Sequence, residues 1–216
     1  QVVPLTINYI NPTRYGIWLT LSSIVAWLSY FDLGFAHGFR NRFAEAVAKG
    51  DMQLAREYVS TTYVVLSLLF SSVFLIAIVV NHFVDWSAIL NVDAAYSSEL
   101  NIVFGILAFF FCLNIVASIF TTMLTANQKP ALASLIQTLG QVFGFICIYI
   151  LTKTVPGNLD VLAFAFSGVP CFLLIIISIG MFLSGRYRHL SPSFHFVHFS
   201  LTKKIVGLGG QFFIIM

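Results

Sequence analysis

The sequence predicts an all-α protein, a polytopic bundle of transmembrane helices, and three observations predict it. Of its 216 residues 59% are hydrophobic and only 9% are charged, whereas soluble domains carry about a quarter charged residues. The apolar residues fall into long runs bounded by charges, each about the 20 residues that a helix needs to cross a hydrocarbon core about 30 Å thick. Finally, the basic residues gather in alternate connecting segments, as they do when successive helices cross a bilayer.

Five full spans follow in order, at about 15–36, 59–83, 100–125, 131–152 and 161–185, with partial spans at 1–10 and 207–216. None alternates apolar and polar residues as a barrel strand would, and each is too long for one. Between the first two, residues 40–57 place Phe43, Val47, Leu54 and Tyr58 at helical spacing among Arg42, Glu45, Lys49, Gln53 and Arg56. This pattern predicts an amphipathic elbow on the membrane surface. Gly50-Asp51 interrupts it, with Asp51 as N-cap of the second piece. Pro130 is expected at a helix start and Pro170 at a kink inside a span.

If each span crosses the bilayer, one side collects Arg40, Arg42, Lys49, Arg56, Lys129, Arg186, Arg188, Lys203 and Lys204, nine of the eleven basic residues. The other side holds Arg14 and Lys153 beside Asp85, Asp93, Glu99 and Asp160. Lys and Arg are retained on the cytoplasmic side, so the first set faces the cytoplasm. Both ends of the chain fall inside apolar stretches, an arrangement expected of a segment of a longer protein.

The densest run of unusual residues is Asp32-Leu33-Gly34-Phe35-Ala36-His37-Gly38-Phe39-Arg40-Asn41, where the first full span meets the cytoplasm. Gly34 and Gly38 share a helix face and allow close backbone approach. Asp32 at membrane depth requires a partner, for which Arg40 and Arg42 are the nearest candidates. The corner is either a structural ion pair or a gate whose pairing changes between inward-open and outward-open states.

Tyr15-Gly16-Ile17-Trp18, this corner, Phe43-Ala44-Glu45, Gly50-Asp51 and Ala55-Arg56-Glu57-Tyr58-Val59-Ser60-Thr61 resemble the bacterial O-antigen and polysaccharide flippases of the multidrug/oligosaccharidyl-lipid/polysaccharide exporter superfamily. Ala126-Asn127-Gln128-Lys129-Pro130 and the stretch from Gly207 to Phe213 are similar to that family's later landmarks. The resemblance implies most of the first, N-terminal lobe of a two-lobe exporter of twelve or more helices, multi-pass in the bacterial inner (cytoplasmic) membrane. Its implied work is translocation of an undecaprenyl-pyrophosphate-linked oligosaccharide, with membrane lipids, a C-terminal lobe of the same chain and the polysaccharide polymerase machinery as partners. Residues 1–216 alone are then not expected to transport.

Such a task calls for polar groups inside the spans, and Asn101, Asn114, Gln137 and Gln141 are the candidates for hydrogen bonding to sugar hydroxyls. They serve equally well as bonds between helices. Arg14, at the outer mouth of the first full span, is a candidate for the pyrophosphate or an interfacial anchor. A cation-coupled drug exporter of the same superfamily is the alternative, with Asp32 as its coupling carboxylate. A membrane enzyme acting on lipid-linked sugars is a third reading, disfavoured because the 82–99 loop is short and carries no Lys or Arg.

Nothing in the sequence calls for a cofactor, metal, catalytic residue or nucleic acid. Gly207-Leu208-Gly209-Gly210 lacks the Lys-Ser or Lys-Thr of a phosphate loop. His195 and His198 lack a third ligand nearby. Cys112, Cys147 and Cys171 sit in apolar runs as small hydrophobes.

Overall fold

The computed structural model describes residues 12–27 and 33–215, and these are helical with short connections and no strand. In chain order the helices are α1 (Pro12–Trp27), α2 (Leu33–Ala48), α3 (Met52–Phe83), α4 (Trp86–Leu90), α5 (Ser97–Ala126), α6 (Pro130–Thr154), α7 (Leu159–Leu183) and α8 (Ser200–Ile215). Four of them, α3, α5 (with the short turn that precedes it), α6 and α7, are long and apolar enough to cross a membrane. The protein is therefore an all-helical chain with the stamp of a membrane protein. The expected first full span, 15–36, is divided between α1 and the start of α2, and residues 28–32 lie outside the described residues, as does the expected partial span 1–10.

The connections follow from local chemistry. Gly50 ends α2 with φ +75°, the left-handed conformation that glycine adopts without cost. Asp51 then caps α3, its carboxylate accepting from Leu54 N at 2.9 Å. The second piece of the expected elbow is not a separate helix: it runs without a break into α3. The 32 residues of α3 extend about 48 Å at 1.5 Å per residue, beyond the hydrocarbon thickness, so one end stands clear of it. Gln128 turns the chain after α5 with φ +57°, and Pro130 opens α6, where its missing N–H would have had no helical partner. Asn158 caps α7 through Asp160 N at 2.8 Å.

Side chains bury into two stacked cores. One joins Phe39, Phe43, Tyr58, Leu66, Phe120, Met123, Phe182, Tyr187, Leu201 and Ile205, toward the basic connections. The other joins Ile17, Trp18, Leu21, Trp86, Leu100, Phe104, Leu107, Ile148, Leu159 and Leu162, toward the acidic ones. Among the described helices α5 contributes the most residues to both, and α6 and α7 also reach each. In its most apolar stretch 50% of residues are buried, against 11% in α3, so α5 is the central helix and α3 a peripheral one. The side chains α3 leaves exposed, including Leu68, Leu75, Ile76 and Val79, are apolar, as lipid requires and water would not favour.

Glycines set how closely the helices approach. Gly140 and Gly144, one turn apart on α6, lie against Pro170 of α7, with a Cβ at Gly140 falling 3.2 Å from the Pro170 Cα and Cβ. This is the small-xxx-small contact of membrane helices, and Pro170 is a packing surface inside α7, which runs unbroken through it. Gly168 similarly admits the Phe110 ring, which would stand 2.8 Å from an added Cβ.

The end of the bundle that carries the acidic connections, the outer one on the charge pattern of the sequence, is tied by a buried amide. Asn81 donates Nδ2–H to the Asn101 carbonyl at 3.1 Å, and its Oδ1 accepts from Trp86 Nε1 at 2.6 Å. Trp86 in turn stacks on Phe104 with ring centroids 4.6 Å apart. Asn81→Leu leaves the indole N–H buried without its acceptor, which costs about 1–3 kcal/mol. A lowered midpoint in detergent unfolding is expected, partly restored when Trp86→Phe removes the orphaned donor. Equal midpoints for Asn81→Leu and wild type would contradict it.

Candidate functional site

α5 carries a polar stripe. Asn114, Ser118, Thr121 and Thr125 recur every three or four residues and Thr122 lies beside Thr121, so the five lie along one side of the helix. Two clefts open along that side. The first, about 350 Å3, is lined by Trp18 and Ser22 of α1, by Phe110, Asn114 and Ser118 of α5, and by Ser167 and Pro170 of α7 among others. The second, about 340 Å3, is lined by His37 and Arg40 of α2, by Thr121, Thr122 and Thr125 of α5, and by Pro130, Ser134 and Gln137 of α6 among others. Together they run from the middle of the bundle to its basic end.

The hydroxyls of the stripe have a consistent polarity. Ser118 Oγ donates to Ile115 O at 2.7 Å, Thr122 Oγ1 to Ser118 O at 3.0 Å and Thr125 Oγ1 to Thr121 O at 2.9 Å. Each proton is committed to the helix backbone, which leaves the oxygen as an acceptor. Ser22 Oγ, buried beside the first cleft, has no hydrogen-bond partner among the described residues. Gln137 and Asn114 add amides that both donate and accept.

Around the second cleft the cations are differentiated. Arg42 pairs with Glu45 at 2.9 Å and reaches the Lys204 carbonyl at 3.5 Å. Lys49 pairs with the other oxygen of Glu45 at 2.7 Å. The Lys49 and then the Arg42 hydrogen bonds hold the Glu45 carboxyl below its ordinary pKa. Arg40 is exposed, borders the cleft and has no ion-pair partner among the described residues. Asp32, proposed from the sequence as a partner for Arg40 or Arg42, lies outside the described residues.

No protein-family model, curated protein or solved structure matches this chain.

The structure brings Asn114, Gln137 and Arg40 to the clefts and sends the other candidates elsewhere. Asn101 lies on a different side of α5, its carbonyl bound by Asn81, and belongs to the outer tie. Arg14 donates to Glu99 Oε2 at 3.2 Å and to the Gly157 carbonyl at 3.5 Å, and it lies 5.8 Å over the Tyr96 ring. Its charge is matched at the outer end of the bundle, away from both clefts. Gln141, one turn beyond Gln137, is exposed and lines neither cleft. Gly38 is buried against Ile205 of α8, so it serves helix packing. Gly34 lies in the first turn of α2, and Asn41 follows Arg40 on that helix, exposed and outside the cleft lining. The hydroxyls of α5 are the part that single-residue reasoning passes over. Their spacing was the available signal, since Ser and Thr are ordinary in membrane helices singly and informative only as a stripe.

Proposed function

We propose that this chain forms part of a path by which a lipid-linked oligosaccharide crosses the bacterial inner membrane, as one lobe of an alternating-access flippase. The polar stripe of α5 is the observation that carries the proposal. A sugar moved through a bilayer must exchange water for other hydrogen-bonding groups, because each unsatisfied hydroxyl costs several kcal/mol in an apolar medium. Sugar hydroxyls are donors, and a row of Ser and Thr oxygens whose own protons are held by the helix is a row of acceptors. The amides of Asn114 and Gln137 meet either polarity. At the basic end, Arg40 and His37 suit the pyrophosphate as it enters from the cytoplasmic leaflet, and the polyprenyl tail remains in lipid along the apolar exterior. The second lobe would close the open side of this groove, and rocking of the two lobes would expose it to each face in turn.

The test uses the protein at its full natural length in proteoliposomes loaded with undecaprenyl-pyrophosphate-linked oligosaccharide bearing a fluorescent sugar. Leaflet exchange above that of empty liposomes is expected, and Asn114→Leu with Ser118→Val is expected to slow it about tenfold, the effect of losing about 1.4 kcal/mol of hydrogen bonding. Folded protein that leaves the lipid's transbilayer rate unchanged refutes the proposal.

A further inference from the structure

The connection from Ser184 to Phe199 is not a loose loop. It is fastened to one side of α3. Ser193 N donates to Ser60 Oγ at 3.1 Å and His198 N to Thr61 Oγ1 at 3.0 Å. Both acceptors are buried, at 1% and 0% exposure. Arg56 Nε donates to the Ser191 carbonyl at 2.9 Å, and the guanidinium lies 4.2 Å from the Phe196 ring centroid. On the neighbouring face Glu57 stands 3.8 Å from His198. Held this way, the connection stands off from α3 and leaves a cleft of about 450 Å3 lined by Ser60, Tyr63, Val64, Leu68, Pro192 and Phe194 among others.

We propose that this cleft is a binding site for an anionic phospholipid of the cytoplasmic leaflet. Its shape is a groove along the helix: Ser60 to Leu68 covers about 12 Å at 1.5 Å per residue, close to the half-thickness of about 15 Å that one leaflet's acyl chains occupy. Its wall is apolar above Tyr63 and Val64, and Phe194 is 87% exposed, a cost in water that contact with an acyl chain removes. No charged side chain lines the cleft itself, but Arg56 lies one turn before Ser60 on the same side of α3 and is bound to Ser191, next to the lining Pro192. The connection carries Arg186 and Arg188 and no acidic residue, and the neighbouring Glu57 faces His198. A lipid seated with its phosphate toward Arg56 and a chain toward Leu68 has the orientation of the cytoplasmic leaflet, the side to which the basic connections belong. The guanidinium is already positioned by Ser191 and Phe196, so binding costs little further ordering of that side chain. The site lies on a peripheral helix and does not depend on the translocation reading.

The experiment is native mass spectrometry of the full natural-length protein, purified in detergent and offered equal amounts of dioleoyl phosphatidylglycerol and dioleoyl phosphatidylcholine. Retention of phosphatidylglycerol at least fivefold over phosphatidylcholine is expected. Val64→Trp fills the groove and is expected to abolish that preference, whereas Leu135→Trp, on the exposed side of α6, leaves it intact. Arg56→Lys keeps the charge but not the planar fork and is expected to reduce the preference about threefold. Equal retention of the two lipids overturns the proposal, and so does equal loss in Val64→Trp and Leu135→Trp. A mean circular dichroism and elution profile like wild type for Val64→Trp certifies the comparison, and Arg56→Lys gives a second reading if that variant does not fold.

Discussion

Gly38→Ala is expected to lower the stability of the protein by about 1–3 kcal/mol or more, the cost of forcing a methyl group into a packed contact. α2 and α8 meet at this point backbone to backbone. A Cβ on residue 38 would fall 2.8 Å from the Ile205 carbonyl carbon and nearer still to its oxygen. Backbone cannot rotate away as the end of a side chain does, so the helices must separate. Separation uncovers Phe39, Phe43, Leu201 and Ile205, which are buried together in one core, and it strains the Arg42 bond to the Lys204 carbonyl. Gly16→Ala is the control. Nothing lies within 4 Å of a Cβ at that position of α1, and Ala is favoured over Gly in a helix by about 1 kcal/mol. Thermal midpoints in detergent should therefore move in opposite directions, down for Gly38→Ala and level or up for Gly16→Ala. Parallel shifts would show that the α2–α8 contact does not govern stability.

The second large effect concerns transport and rests on the proposed function. Arg40→Ala is expected to reduce the rate of lipid-linked oligosaccharide translocation about 10- to 100-fold. A hydrogen bond to a charged group contributes about 1.5–3 kcal/mol, and each 1.4 kcal/mol is about a factor of ten. Arg40→Lys retains the charge and loses the bidentate geometry that suits phosphate, so an intermediate rate is expected. Arg42→Ala is the informative comparison, because two residues along the same helix Arg42 is already engaged by Glu45 and the Lys204 carbonyl. Its loss should touch stability more than turnover. Raised salt should weaken wild-type headgroup binding and leave Arg40→Ala less affected, since screening acts on an exposed charge. Equal turnover in wild type and Arg40→Ala, measured in the same proteoliposomes, would remove Arg40 from the path.

These two residues sit two positions apart in one short segment, yet their expected effects differ in kind. From the sequence, Gly38 and Arg40 belong to one corner with Asp32, Gly34 and Asn41. In the structure the corner is shared between opposite faces of α2: Gly38 turns toward α8 and Arg40 toward α5 and α6. A helix advances about 100° per residue, so neighbours in sequence meet different partners, and only packing says which.

The helical character, the positions of the long apolar helices and the cap at Asp51 are determined by the sequence itself. They rest on properties that are local or additive: apolar run length, the need to satisfy every backbone group in lipid, and a carboxylate placed three residues before the N–H it accepts from. The side on which each connection is expected to emerge is read from alternation and charge alone. What tertiary structure alone decides is which polar residues share a space. Asn101 and Asn114 are the same residue type on the same helix, but one is bound into the outer tie with Asn81 while the other lines a cleft with residues of α1 and α7. Arg14 and Arg40 are both basic residues near the end of an apolar segment, but Glu99 neutralises the first and the second borders a groove. The difference is long-range, since Arg14 and Glu99 are 85 residues apart, and no local rule of spacing or propensity carries information across that distance. Close packing against specific neighbours does.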